Sequence, residues 1–250
     1  PAGSLPGVTL TGTLGVKVNT ITTPDSGSNV SETFSINGAS TTLTLPAGNY
    51  IRVDGTALNL TVTAGGTTQT LTGDFIFEQL TTTSGGETVT RIAAANVALA
   101  LGDGSRDLVR VTGGSGYFLI TAAGIAGTFS GNVQFNIPDV TLAGSFGVQF
   151  KTINAAVNET FADGGAVVIG TTGQFVRVEG GTVTPLTMTI AGQQISGAFV
   201  FEQTTSGGAD KNLLTTGDNQ QVVRVAITNL SLDIGQGGTN YVHATGAGSL

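Results

Sequence analysis

One alternating pattern recurs five times, and it limits the chain more than any other feature. The pattern reads apolar, x, Gly, x, Phe or Leu, x, apolar, x, apolar, and it is centred on Gly12, Gly73, Gly127, Gly144 and Gly197. Around Gly144, the residues Val140, Leu142, Phe146, Val148 and Phe150 occupy every second place. Just before them Ile125, Gly127, Phe129, Gly131, Val133, Phe135 and Ile137 do the same, with Pro138-Asp139 between the two runs. A strict period of two over this length predicts half-buried β-strands, and the short gap predicts a tight turn joining the two runs.

The copies come in a fixed order. VTLTG ending at Gly12 returns as VTLAG ending at Gly144 (144 − 12 = 132), and VSETF ending at Phe34 returns as VNETF ending at Phe161 (161 − 34 = 127). YIRVDG returns as FVRVEG, with Arg52 matching Arg177 (177 − 52 = 125), and GDFIFEQ returns as GAFVFEQ (197 − 73 = 124). Arg91 in TRIAAANVALALG matches Arg224 in VRVAITNLSLDIG (224 − 91 = 133). The chain therefore divides into a first β unit at 1–139 and a second at 140–250, and a repeat of this kind governs the fold expectation. The first unit continues past Gly116 into Tyr117–Asp139, whereas the second stops just after its equivalent Gly248. The second unit thus reads as C-terminally incomplete, as expected of a segment of a longer array or of a chain completed by its neighbour.

Composition narrows the function. Only 10% of the 250 residues are charged, against about 25% in ordinary domains, while Gly reaches 39. The polar surface must therefore come from Thr, Ser, Asn, Gln and backbone, which favours strands and Gly-rich turns. A net charge of −7 with scattered Lys and Arg argues against nucleic acid or an anionic membrane surface as partner. No apolar run approaches the length of a transmembrane helix, and PAGSLPG at the N-terminus lacks the features of a signal peptide. Cysteine is absent, which removes any disulfide framework. Low charge and Thr- and Gly-rich repeats point to an extracellular or cell-surface product.

Eight phenylalanines (75, 77, 129, 135, 146, 150, 199 and 201) lie on the apolar side of the motif, so that side is expected to be the core. A glycine on the same side marks either a bulge or a place where another backbone or a ring packs closely. Short strands are expected at Tyr50–Val53, Leu58–Val62, Val89–Ile92 and Val97–Leu101. Arg52, Arg110, Arg177 and Arg224 each sit between apolar strand neighbours, and Arg91 between Thr90 and Ile92 in the same strand setting. Cross-strand pairing of Arg52 with Glu78 or a neighbouring carboxylate, and of Arg177 with Glu202, would fix strand register.

Chemistry finds no foothold. Asp103 to Asp107 is the nearest approach to a calcium loop, but it lacks the carboxylates and terminal Glu of an EF-hand and reads as a turn. His243 has no counterpart in the first unit, and no nucleophile elbow, paired carboxylates or phosphate loop is present. Catalytic, cofactor-binding and metal-ligating residues are all expected to be none. The Thr41–Thr44 and Thr61–Thr63 runs could form an ice-binding array but are also ordinary strand composition. The sequons at Asn29, Asn59, Asn158 and Asn229 are expected by chance in so Thr- and Asn-rich a chain.

AVNETF, the repeated R-V-x-G and F-x-FEQ blocks, and the passage LGDG…VTGGSGYFLITAAGIAG resemble tandem β-rich repeats of giant secreted or surface proteins of bacteria, of adhesin-like type. The resemblance implies a fibrous extracellular role. The expected fold is all-β, an elongated tandem repeat of long, mainly antiparallel strands in a stacked sandwich, with a large-coil β-solenoid as the alternative. The expected function is structural and non-enzymatic, as part of a fibre, filament or adhesin stalk. Its partners would be other copies or neighbouring repeats joined through edge strands, with no nucleic acid and no membrane insertion. A carbohydrate-binding or adhesive module, acting on a surface or glycan target, is the alternative. Tyr50, Tyr117 and Tyr241 would be its aromatic contacts.

Overall fold

The computed structural model describes residues 8–21, 29–64, 67–81, 87–102, 107–137, 140–206, 220–236 and 239–249. These residues form sixteen strands. In the first unit they are β1 (Val8–Asn19), β2 (Val30–Ile36), β3 (Ala39–Leu45), β4 (Tyr50–Ala64), β5 (Thr67–Thr81), β6 (Thr88–Gly102), β7 (Asp107–Thr121) and β8 (Gly124–Ile137). In the second they are β9 (Val140–Lys151), β10 (Val157–Thr160), β11 (Ala166–Ile169), β12 (Phe175–Gly180), β13 (Leu186–Ile190), β14 (Gln193–Ser206), β15 (Gln220–Gln236) and β16 (Thr239–Ser249).

Twelve strands make one sheet in the order β1-β4-β5-β6-β7-β8-β9-β12-β14-β15-β16, with β13 sharing the place of β12 between β9 and β14. All its pairings are antiparallel, so the chain is all-β with long antiparallel strands, and the solenoid alternative does not describe it. The two units share this sheet, because β8 and β9 pair from Ile137↔Val140 to Ala126↔Lys151. Pro138-Asp139 itself lies outside the described residues. The layering expected of a sandwich is local: the β10–β11 hairpin lies on one face of the sheet.

The sheet sorts its side chains into rows. One transverse row reads Val16, Val53, Phe77, Ile92, Phe118, Gly127, Phe150, Val176, Gln203 and Val223. The adjacent row, on the opposite face, carries Lys17, Arg52, Glu78, Arg91, Leu119, Ala126, Lys151 and Phe175. This is the pleat acting on the period-two sequence.

The expected breaks at 54–57 and 93–96 are bulges within single strands. In β4 the apolar side passes from Val53 and Gly55 to Leu58 and Leu60, and the extra residue Ala57 has φ 50°. In β6 it passes from Ile92 and Ala94 to Val97 and Leu99 across Asn96 at φ 53°, and in β15 from Val225 and Ile227 to Leu230 and Leu232 across Asn229 at φ 53°. One inserted residue shifts the parity and returns the apolar set to the same face. Asp74 ties two bulges together: its carboxylate accepts from the Ala57 N–H (2.8 Å) on one side and from Asn96 Nδ2 (2.6 Å) on the other. Those bonds hold its carboxyl below the ordinary value.

Gly12, Gly73 and Gly197 face these bulges, and Gly144 faces the break between β12 and β13. A Cβ on Gly12 would stand 2.6 Å from the Leu58 side chain and 3.0 Å from the Ala57 carbonyl oxygen, and one on Gly144 would stand 2.8 Å from Leu186 Cα. In β8 the equivalent place belongs to Gly131, which faces Gly114. Gly127 instead lies between two rings, and a Cβ there would come 2.6 Å from Phe118 and 3.0 Å from Phe150. Both readings of the recurrent glycine are therefore realised, at different positions. Gly127→Val is expected to lower stability by about 1–3 kcal/mol through overpacking, read as a lower urea midpoint at unchanged m-value.

The buried core lies on the face opposite the motif phenylalanines. Val89, Ala93, Leu119, Ala126 and Phe175 from the sheet meet Ile153, Val157, Phe161, Val167 and Ile169 from the connection between β9 and β12. None of the eight motif phenylalanines is buried, and Phe77 and Phe201 are exposed. The expectation that their face forms the core is thus corrected: the hairpin folds onto the charged face and closes the core there.

Candidate functional site

The densest set of interacting polar groups lies where β10–β11 covers the sheet. Register places Arg52, Glu78 and Arg91 side by side on β4, β5 and β6, as it places Arg177, Glu202 and Arg224 on β12, β14 and β15. The two copies have different surroundings. In the first, Glu78 is 4% exposed and accepts from Tyr50 Oη (2.8 Å) and Arg91 Nη1 (3.2 Å). Arg91 Nη2 continues to Glu159 on the hairpin, so one guanidinium joins the sheet of the first unit to the connection of the second. Arg52 turns to Asp54 on its own strand (2.6 Å). In the second copy Arg177 reaches Glu179 (3.0 Å) and Glu202 (3.4 Å), and Arg224 reaches Glu202 (3.3 Å) with its side chain 64% exposed. The expected cross-strand pair of Arg177 with Glu202 is present, whereas Arg52 pairs within its own strand and Glu78 takes its cross-strand arginine from Arg91 instead. Arg110 stands exposed opposite Gln134.

Burial pushes the Tyr50 phenol up to about 12, and its hydrogen bond to the Glu78 carboxylate adds to this. The folded state therefore keeps a proton that the unfolded chain releases from pH 10 upward, so stability is expected to be intact below pH 10 and to fall as pH rises towards 12. The expected loss is about 1–3 kcal/mol, measured by urea denaturation across that range and reduced in Tyr50→Phe.

Two further contacts fasten the joint. Lys151 is almost fully buried at the end of β9 and donates from Nζ to the carbonyls of Ala155 (2.8 Å) and Thr171; burial lowers its pKa. Its counterpart in the first unit is Asn19, which donates from Nδ2 to the Pro46 carbonyl (2.8 Å) and accepts from the Ile21 N–H (2.9 Å). Each ties the start of its connecting segment to the end. Tyr117 packs against Phe161 with the rings tilted at 57° and their centroids 5.0 Å apart, and it donates to Asp163 (3.3 Å).

A cleft of about 410 Å³ opens beside this network, lined by Arg52, Asp54, Asp74, Ile76, Ala93 and Asp163 among others. Its lining has no His or Cys, and its arginine is already paired with Asp54. His243 lies on the edge strand β16, with Nδ1 2.6 Å from Asp233 Oδ1. Residues 103–106 of the candidate calcium loop lie outside the described residues. Among the described residues no group of three or more His, Cys, Asp or Glu could hold a metal ion. Of the three tyrosines, Tyr50 and Tyr117 are engaged internally, and Tyr241 on β16 is exposed.

Sequence reasoning paired the strand charges and missed Glu159. The available signal was Glu32 and Glu159 at the same place in the repeated V-x-E-T-F block. No known protein family, curated protein or solved structure matches the chain.

Proposed function

We propose that the chain is a structural β-repeat element of an extracellular fibre, filament or adhesin stalk, without catalytic activity, whose partners are further units of the same kind. One observation carries this reading: the same hairpin occurs twice, covered along its length once and open beyond Leu45 at its base once. In the second unit Phe161 is 6% exposed, Val167 0% and Ile153 8%, because the hairpin lies on β6 to β8 of the unit before it. In the first unit the corresponding Phe34 is 44% exposed, Leu43 37% and Ile21 51%. The ladders Val30↔Leu45 and Val157↔Ile169 make the two hairpins equivalent in register.

The charged half of the joint recurs in the same way. Arg91 has Glu159 as its partner from the next unit, while its equivalent Arg224 is open to solvent and Glu32 sits at the Glu159 position of the uncovered hairpin. Repeating the joint would set a Glu32-type carboxylate on an Arg224-type guanidinium and bury a Phe34-type ring. With a β8-type strand between them, as β8 stands between β7 and β9, the strand edges of β16 and of a following β1 would be paired as well, which removes the pairing groups that invite uncontrolled association.

Negative-stain electron microscopy of the chain at micromolar concentration tests the reading. Filaments with a regular axial repeat, shortened in Glu32→Arg, or dispersed elongated rods support it. Compact particles that neither elongate nor associate end to end would overturn it.

A further inference from the structure

We propose that the uncharged face of the sheet is an interface with a second copy of this chain, two sheets stacking through their phenylalanine rows. The proposal concerns lateral pairing of sheets and is separate from the serial joint.

Area is the first argument. The apolar rows cross about ten strands at roughly 4.8 Å spacing and run for most of the strand length, giving a face of about 1,500–2,000 Å². The largest apolar patch of an ordinary monomer covers about 300–600 Å², so a face this large needs a cover. Two such faces together would bury about 3,000–4,000 Å², in the range of obligate homodimers. No described element lies over this face; the β10–β11 hairpin packs on the other one.

Chemistry is the second argument. Lys17, Arg52, Glu78, Arg91, Arg177 and Glu202 all fall in the rows of the opposite face. The bulges keep the apolar set on one side along the strands, so that Leu142, Met188 and Ile195 line the same shallow depression as Leu186, Phe199 and Ile227. Shape is the third. Phe118 and Phe150 lean over Gly127, Phe129 over Gly116 and Phe199 over Gly180. Rings laid over glycines give a low, even surface, which suits a second sheet about 10 Å away. Gln79 and Gln203 stand on this face near the C-terminal ends of β5 and β14, bonded to Thr90 (3.2 Å) and Gln221 (3.5 Å). Amides there fit the polar rim of a protein interface and would be costly in hydrocarbon, which favours a second copy over a lipid surface.

Sedimentation of the full chain from 1 to 50 μM, roughly the span over which weak and tight pairs separate, tests the proposal. The variants are Phe201→Glu with Val223→Glu, and Val223→Lys alone; both positions are already exposed, so the fold is expected to survive, as checked by far-UV circular dichroism. The expected result is association into even-numbered species, with a two-fold fall in mass, or in mass per length of any filament, in both variants and none in Arg110→Glu, an exposed position on the opposite face outside the serial joint. A wild-type chain that stays monomeric, or a mass unchanged in the folded variants, would overturn it. Flotation of the chain with phosphatidylcholine vesicles in place of self-association would also overturn it and assign the face to lipid.

Discussion

Phe161→Ala is expected to destabilise the protein by about 3–5 kcal/mol, while Phe34→Ala, at the same place in the repeat, is expected to cost about 1 kcal/mol or less. Phe161 is 6% exposed, packs against the Tyr117 ring and fills the space between the hairpin and β6 to β8, so truncation removes ring burial and leaves a cavity. Phe34 is 44% exposed on a hairpin that is buried only near its base, at Leu45. Urea denaturation of the two variants gives the comparison directly. Equal costs would show that the two hairpins have the same surroundings and would remove the basis of the serial joint. Under conditions in which the chain assembles, the Phe34 cost is expected to rise towards that of Phe161, because the joint would then cover it.

Glu78→Ala is expected to cost about 3 kcal/mol, and Glu202→Ala about 0–1 kcal/mol. The two glutamates occupy the same position of the F-x-FEQ block and the same register between two arginine-bearing strands. Removing Glu78 strands the Tyr50 hydroxyl and one side of Arg91 beneath the hairpin, where solvent cannot replace the lost partner. Removing Glu202 leaves Arg177 bonded to Glu179 and Arg224 in water, where hydration offsets the loss. The Glu202 effect is further expected to vanish in high salt and the Glu78 effect to persist, since exposed pairs are screened and covered ones much less so.

The strands were legible wherever a period of two persisted, and the charged ladder wherever arginine and glutamate fell on facing places of adjacent strands. Less legible were the inserted residues. Ala57, Asn96 and Asn229 break the alternation by one place, which in sequence looks like the end of one strand and the start of another; only the ladder on either side shows that the chain continues. The motif glycine was visible as an anomaly, and its cause was not, because the bulge it accommodates belongs to a neighbouring strand.

What the sequence determined by itself was local and periodic: antiparallel β-strands, two ordered copies, and one apolar and one polar side to the long strands. These follow from side-chain alternation, which any extended chain must obey. Which side became the core was decided by tertiary structure. The motif phenylalanines outnumber every other large apolar group on their strands, yet Val157, Phe161, Val167 and Ile169 arrive on the charged side and bury Glu78, Leu119 and Lys151 there. That outcome depends on where a connecting hairpin lands, and thus on contacts between residues as distant as Arg91 and Glu159. Periodicity carries no information about such contacts, so matching sequence blocks end in unlike surroundings, one covered by the next unit and one open to solvent.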